Sequence, residues 1–164
     1  MTSINKSSSR EEVLKVVKAD GWTLEHASDE LKNDREIVLE AIKSDGHALE
    51  FASDKLKVDR EIALEVIKSF SGVGYSYSIP LQSENLKNDR EILLEAVLKS
   101  YGEALKYASD ELRADRELVL TAVKLNGMAL EFASVELKND REVVIEAIND
   151  DIGGSLNGHA LEFA

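Results

Sequence analysis

The amino-acid sequence predicts an all-α fold, an α-solenoid of about six two-helix repeats with a period of about 25 residues. The first observation is a recurring Arg-Glu pair, spaced by 25, 25, 30, 26 and 25 residues, whose arginines are Arg10, Arg35, Arg60, Arg90, Arg116 and Arg141. The second is that the 164 residues contain one proline, no cysteine and 32% charged residues, which is typical of a helix-rich chain. The third is that each predicted ten-residue helix is apolar over more than half of its circumference, as Ile37, Val38, Leu39, Ala41 and Ile42 show, and needs neighbours on two sides.

The spacing of the arginines divides residues 9–164 into a single array of repeats. Residues 1–8 are expected to form a flexible N-terminal segment. The predicted units are 9–33, 34–58, 59–88, 89–114, 115–139 and 140–164.

The first helix of each unit is expected to begin at an aspartate, or at Ser9 in the first unit, because these side chains accept a free backbone N–H. The preceding asparagine, for example Asn33, could cap the helix instead and form a capping box with Glu36. The sequence leaves the two registers open. Glycines that follow the helix are predicted to end it in the left-handed conformation: Gly21, Gly46, Gly102 and Gly127.

The second helix is predicted to be shorter. Its small face, formed by Ala48, Leu49 and Ala52, would let neighbouring backbones approach closely. A leucine then returns the connecting turn to the core, and its burial contributes about 1.5–3 kcal/mol. These leucines are Leu31, Leu56, Leu86, Leu112 and Leu137.

The Asp-Arg-Glu triplets favour a structural role. The aspartate would cap the helix, the glutamate would complement its N-terminus, and the arginine would pair with an acid of the adjacent repeat. The alternative is a row of free arginines that binds anions. Acids flank every one of these arginines on both sides except Arg10, which favours the ion pairs.

The repeated phrases resemble a known family. ALEFASDKLKVDREIALEVIK and its variants ALKYASDELRADRELVLTAVK and ALEFASVELKNDREVVIEAI are similar to the domain-of-unknown-function family numbered 4116. The likeness extends from about Ser9 to the end of the sequence. It implies a tandem array of helical repeats and implies no activity.

The third unit departs from the pattern at Ser69–Glu84 (SFSGVGYSYSIPLQSE), which replaces the Ala-Leu motif and contains the only proline. Inserted segments of repeat proteins lie in loops on one face. The segment is therefore either a tolerated surface loop or a contact loop, with Phe70, Tyr75 and Tyr77 as candidate partner contacts.

The sixth unit carries the insertion Asn149–Gly158, whose acids and glycines do not follow the ligand order of a calcium loop, and a flexible loop is expected. The sequence then stops within a second helix. We expect this uncapped end, with Leu161 and Phe163, to be a candidate end-docking edge, because an uncapped repeat exposes apolar surface.

No catalytic pattern is recognisable. His47 and His159 share a variable repeat position that also holds Trp22 and Met128. This variability predicts that the side chains at this position lie on the protein surface. His26 replaces the aromatic residue of other repeats and is predicted to be half-buried. The sequence contains no phosphate-binding loop, zinc-binding helix or Ser/His/Asp arrangement, so we expect no enzyme activity, no cofactor and no metal site.

The net charge of −12 limits the classes of partner that the chain is expected to bind. It disfavours nucleic acids and anionic lipid, since both bind through Lys and Arg. No apolar stretch reaches the length of a membrane span, and the absence of cysteine is compatible with a reducing cytoplasm. We therefore expect a non-catalytic scaffold or protein-interaction module whose partner carries a basic patch. The alternative is a structural subunit that self-associates end to end.

Overall fold

The structure is a computed structural model that describes residues 4–69 and 80–151, and within these residues it contains helices and no β-strand. Contacts divide the chain into two units, Met1–Ser83 and Glu84–Ala164, and each is considered by itself. The all-α repeat fold is confirmed. The prediction of one continuous array over residues 9–164 stays a prediction.

Each repeat that the structure describes in full contains one long α-helix, one 3₁₀ helix and one α-helix of a single turn. The α-helices of the first unit are α1 (Arg10–Val17), α2 (Asp29–Lys32), α3 (Arg35–Ser44), α4 (Asp54–Lys57) and α5 (Arg60–Ser69). Its described 3₁₀ helices are Gly21–His26, Gly46–Phe51 and Pro80–Gln82.

The second unit repeats this order. Its α-helices are α6 (Glu84–Lys87), α7 (Arg90–Lys99), α8 (Asp110–Arg113), α9 (Arg116–Leu125), α10 (Val135–Lys138) and α11 (Arg141–Asp151). Its described 3₁₀ helices are Glu103–Tyr107 and Gly127–Phe132.

The aspartate is the residue that caps the long helix. Asp34 Oδ1 accepts hydrogen bonds from the backbone N–H groups of Glu36 at 3.0 Å and Ile37 at 3.2 Å. Asn33 instead ends α2 as its C-cap residue. Of the two registers that the sequence left open, the structure therefore has the one in which aspartate begins the helix.

The predicted second helix is divided into two pieces. Gly46–Phe51 forms a 3₁₀ helix that closes with the hydrogen bond from Ala52 N–H to the Leu49 carbonyl. Ala52 is extended, and the Ser53 side chain then caps α4 by accepting the N–H of Leu56. The division arises because a serine cap begins a new helix where a continuous one would otherwise run on.

The predicted left-handed glycine stops are wrong at three of the four positions. Gly102, with φ +87°, is the one glycine with positive φ within residues 4–69 and 80–151. Before Gly46 and Gly127 an extended residue both ends the long helix and caps the 3₁₀ helix, as Asp45 does by accepting the His47 N–H. Before Gly21 the long helix ends at Val17, and the extended Asp20 caps only the 3₁₀ helix. Gly21 is needed for space, because a Cβ there would lie 2.3 Å from the carbonyl oxygen of Ala41 in the next repeat.

The core of each unit lies between consecutive long helices, which contact one another and the 3₁₀ helices beside them. Every central long helix buries four apolar side chains; in α3 these are Ile37, Val38, Ala41 and Ile42. The 3₁₀ helices add buried leucines such as Leu24 and Leu49. This burial on two sides is what the apolar circumference of the long helices predicts.

Candidate interaction surface

The predicted partner contacts Phe70, Tyr75 and Tyr77 lie outside the described residues, as do Leu161 and Phe163 of the predicted end-docking edge. Their roles therefore stay predictions. The surface of the described residues has to be considered on its own.

The arginines of the repeated triplet are paired with acids of the next repeat. Arg10 lies 2.7 Å from Asp34 and 2.5 Å from Glu36, measured from guanidinium nitrogen to carboxylate oxygen. The same arrangement joins Arg35 to Asp59 and Glu61, Arg90 to Asp115 and Glu117, and Arg116 to Asp140 and Glu142. The hydrogen bond from Arg10 holds the pKa of Asp34 below its usual value. The predicted ion pairs are confirmed at these four arginines, which the acids occupy in place of an outside anion.

The serines of the later Ala-Ser motifs link two repeats. Ser53 Oγ donates to the side-chain oxygen of Asn33 at 2.7 Å, and Ser53 N–H donates to the Lys32 carbonyl at 3.0 Å. Ser109 makes the corresponding bonds to Asn88 and Lys87. The strongest sequence motifs of the repeat are thus explained by contacts between repeats, so they carry no separate site.

A groove separates successive one-turn helices in each unit. In the first unit it has a volume of about 300 Å³, and its lining residues are Asp29, Lys32, Phe51, Ala52, Ser53 and Asp54. In the second unit it has a volume of about 430 Å³, and its lining residues are Glu84, Lys87, Asn88, Ala108, Ser109, Asp110, Glu111 and Arg113. The two grooves occupy equivalent repeat positions, and only the first is lined by an aromatic residue.

An aromatic cluster adjoins the groove of the first unit. The ring of Trp22 stacks on that of His47, with centroids 6.1 Å apart and planes at 24°, and meets Phe51 edge-on at 5.3 Å. Trp22 nevertheless remains 46% exposed. Because Phe51 belongs to both the cluster and the groove, the two form one surface, which we call the Trp22 surface (Trp22, His47, Phe51 and the groove between α2 and α4).

Asp45 fixes the orientation of the Trp22 ring. Its Oδ2 accepts the indole N–H at 2.8 Å, and its Oδ1 accepts the backbone N–H of His47 at 2.9 Å and lies 3.0 Å from His47 Nδ1. Burial acts to raise the pKa of Asp45, but the hydrogen bonds from His47 and Trp22 outweigh it and hold the pKa below its usual value. The carboxylate beside the indole is therefore ionised at neutral pH.

Sequence reasoning missed this cluster. At the repeat position predicted to be on the surface, Trp22 and Met128 are exposed, but His47 is half-buried and His159 lies outside the described residues. His26, predicted to be half-buried, is exposed. The available signal was the lone tryptophan of the chain, which one repeat separates from His47 at the same repeat position. Counted from the serine of the repeat, Tyr77 occupies the sequence position of Trp22, because Tyr77 precedes Ser83 by six residues and Trp22 precedes Ser28 by six.

A family profile described as domain of unknown function DUF4116 matches residues 9–57, 34–82, 59–113 and 115–164. The chain belongs to the DUF4116 family. The resemblance predicted from the repeated phrases is thereby confirmed, and the overlapping DUF4116 matches follow the repeats that the helices define. Among curated proteins and among solved structures, none matches the chain significantly.

Two further classes of site are absent from the described residues. Among residues 4–69 and 80–151, no three His, Asp or Glu side chains are grouped so that they could hold a metal ion. No helix in the same ranges is long and apolar enough to cross a membrane.

Proposed function

We propose that this DUF4116 chain is a non-catalytic interaction module that binds a protein partner through the Trp22 surface. The observation that carries the proposal is the half-exposed Trp22, which Asp45, His47 and Phe51 hold in one orientation. Tryptophan is enriched among the residues that dominate binding at protein interfaces. A side chain that is already ordered loses less conformational entropy when a partner covers it.

The repeat architecture supports this role. The residues that recur most strictly, the Asp-Arg-Glu triplets and the Ala-Ser motif, are engaged in contacts between repeats. Trp22 and His47 occupy a position that varies from repeat to repeat. Repeat arrays bind partners through surface positions that vary on a constant scaffold, and this is the position at which the cluster is built.

The charge of the chain indicates the kind of partner. With 32 acids against 20 bases, the surface attracts a basic partner and accelerates its encounter by electrostatic steering. The charge pairs on the rim of such an interface set the association rate more than the affinity, so Trp22 is expected to supply most of the binding energy.

The experiment compares the proteins that the immobilised chain and its variants retain from extracts of the source cells. Trp22→Ala is expected to lose specific partners, because truncation of a dominant aromatic contact costs about 2 kcal/mol or more, roughly thirtyfold in affinity. Met128→Ala is the matched control, since Met128 occupies the same repeat position in the second unit and is 37% exposed. An identical set of proteins on wild type and Trp22→Ala would contradict the proposal.

The predicted contact loop is tested in the same experiment. A variant with Tyr75→Ala and Tyr77→Ala is expected to weaken retention of the partner if this segment belongs to the interface. Unchanged retention would remove Phe70, Tyr75 and Tyr77 from the predicted contacts and leave the Trp22 surface as the binding site.

A further inference from the structure

The two segments that carry Trp22, His47 and Phe51 contain acids and neither lysine nor arginine. Segments 20–28 (DGWTLEHAS) and 45–53 (DGHALEFAS) contain Asp20, Glu25, Asp45 and Glu50 but no lysine or arginine. Glu25 and Glu50 are exposed on the two 3₁₀ helices that carry Trp22 and His47. Of the two corresponding segments of the second unit, 126–134 contains Glu131 and no lysine or arginine, whereas 102–109 contains Lys106, whose ammonium lies 5.1 Å from the centroid of the Tyr107 ring.

The negative charge beside the indole is fixed in place. Asp45 accepts hydrogen bonds from the indole N–H of Trp22 and from the backbone N–H of His47, and its Oδ1 lies 3.0 Å from Nδ1 of the His47 ring. The indole and the backbone amide carry no formal charge, so these two donors do not neutralise the carboxylate beside the ring. A cation over the indole face would gain both from the ring quadrupole and from this carboxylate.

The course of the groove indicates the direction in which a bound peptide would extend from Trp22. From Phe51 it runs between α2 and α4, and its charged lining residues are Asp29, Asp54 and Lys32. Lys57 of α4 lies 3.8 Å from Asp54, whose side chain is fully exposed. An extended peptide advances about 3.3 Å per residue, with alternate side chains on one face. A side chain placed on Trp22 would therefore bring a side chain two residues away into the acidic groove.

We propose that the Trp22 surface recognises an arginine side chain in an extended basic segment of the partner protein, with a second basic side chain of that segment in the groove lined by Asp29 and Asp54. This inference rests on the proposed function of the same surface. Arginine fits better than lysine because its planar guanidinium stacks on an indole and is less strongly hydrated than an ammonium. Lys106 over Tyr107 in the second unit is an intramolecular instance of the same chemistry.

The test uses the full chain and short synthetic peptides. Trp22 is the only tryptophan, so its fluorescence reports directly on the proposed site. A peptide in which arginine alternates with glycine is expected to produce a saturable change in emission. The same peptide with lysine is expected to bind about fivefold more weakly, and with glutamate not at all.

Matched charge variants separate local recognition from general attraction. Asp29→Asn with Asp54→Asn removes two charges from the groove of the first unit, and Glu84→Gln with Asp110→Asn removes two from the equivalent groove of the second. Both double variants have a net charge of about −10. The first pair is expected to weaken the arginine peptide about fivefold or more, and the second to change its affinity less than twofold. Calorimetry with Trp22→Ala, checked by circular dichroism for an intact fold, is expected to lose the binding.

Three results would overturn the inference. They are the absence of a saturable fluorescence change with the arginine peptide, equal weakening by the two charge pairs, and equal affinity for the lysine peptide. Each differs from failure of the proposed function. If Trp22→Ala loses protein partners from extracts while the arginine peptide does not bind, the interaction surface stands and the cationic ligand is wrong.

Discussion

The carboxylate of Asp34 serves two repeats at once. One oxygen caps α3 by accepting the N–H groups of Glu36 and Ile37, and the other lies 2.7 Å from Nε of Arg10 in the preceding repeat. Asp115 divides its oxygens in the same way between Leu118 and Arg90. The aspartate that begins α3 or α9 thus also attaches that helix to the preceding repeat.

Because Asp34 has this double role, its variants are expected to lose stability in steps. Asp34→Asn keeps a good capping oxygen and loses the ion pair, so we expect a cost of about 0–1 kcal/mol in the free energy of unfolding. Asp34→Ala loses both and is expected to cost about 1–2 kcal/mol. Urea denaturation measures the difference, and an Asn variant as unstable as the Ala variant would contradict the capping role.

The acid dependence of stability follows from the same group. The pKa of Asp34 is lower in the folded chain than in the unfolded chain, chiefly because Arg10 donates to it. Its contribution is therefore complete above the unfolded-state pKa, about 3.9, and is lost as pH falls through the folded value. Urea denaturation between about pH 5 and pH 3 is expected to show a shallower loss of stability in Asp34→Ala than in wild type. Parallel curves would refute this assignment.

Gly21→Ala tests the close approach of neighbouring repeats. The added Cβ would lie 2.3 Å from the Ala41 carbonyl oxygen, a backbone atom that cannot rotate away. We expect a loss of about 1–3 kcal/mol in the free energy of unfolding. Ser44→Ala, at an exposed residue of α3, is the control and is expected to change stability by less than about 0.5 kcal/mol. A neutral Gly21→Ala would mean that the repeats are not packed this closely.

The chain contains its own comparison for the Ser–Asn link. Ser53 both caps α4 and donates to the side chain of Asn33. The position equivalent to Asn33 is Ala114 in the repeat before Ser134, so Ser134 keeps only its helix cap and its backbone hydrogen bond. Ser53→Ala is therefore expected to cost about 1 kcal/mol more than Ser134→Ala in thermal or urea unfolding. Equal costs would show that the side-chain bond to Asn33 contributes nothing.

The features predictable from the sequence are those that depend on neighbours along the chain or on strict repetition. Arg10 and Asp34 recur with the period of the repeat, so stacking of the repeats was enough to predict that they pair. The role of Gly21 could not be predicted in this way, because the approach of Ala41 depends on how tightly the next repeat packs. A helix-ending glycine was the local interpretation, and it fails where an extended aspartate ends the helix instead.

The candidate site was harder to predict for a related reason. Trp22, Asp45 and Phe51 lie on two successive repeats, and although Trp22 is the only tryptophan, neither Asp45 nor Phe51 is distinctive within its own repeat. Their contact depends on the lateral offset between two 3₁₀ helices, and the sequence had indicated one continuous second helix in each repeat. A half-exposed tryptophan and a capping aspartate become a site only when the stacking distance is known.

The most direct test of the account is the hydrogen-exchange footprint of a retained partner on the full chain. We predict that the partner slows amide exchange in residues 20–28 and 45–57, the segments that carry the Trp22 surface, and leaves residues 102–109 unchanged. Slowed exchange elsewhere, with residues 20–28 and 45–57 exchanging as in the free chain, would contradict the central claim that this DUF4116 chain binds through Trp22.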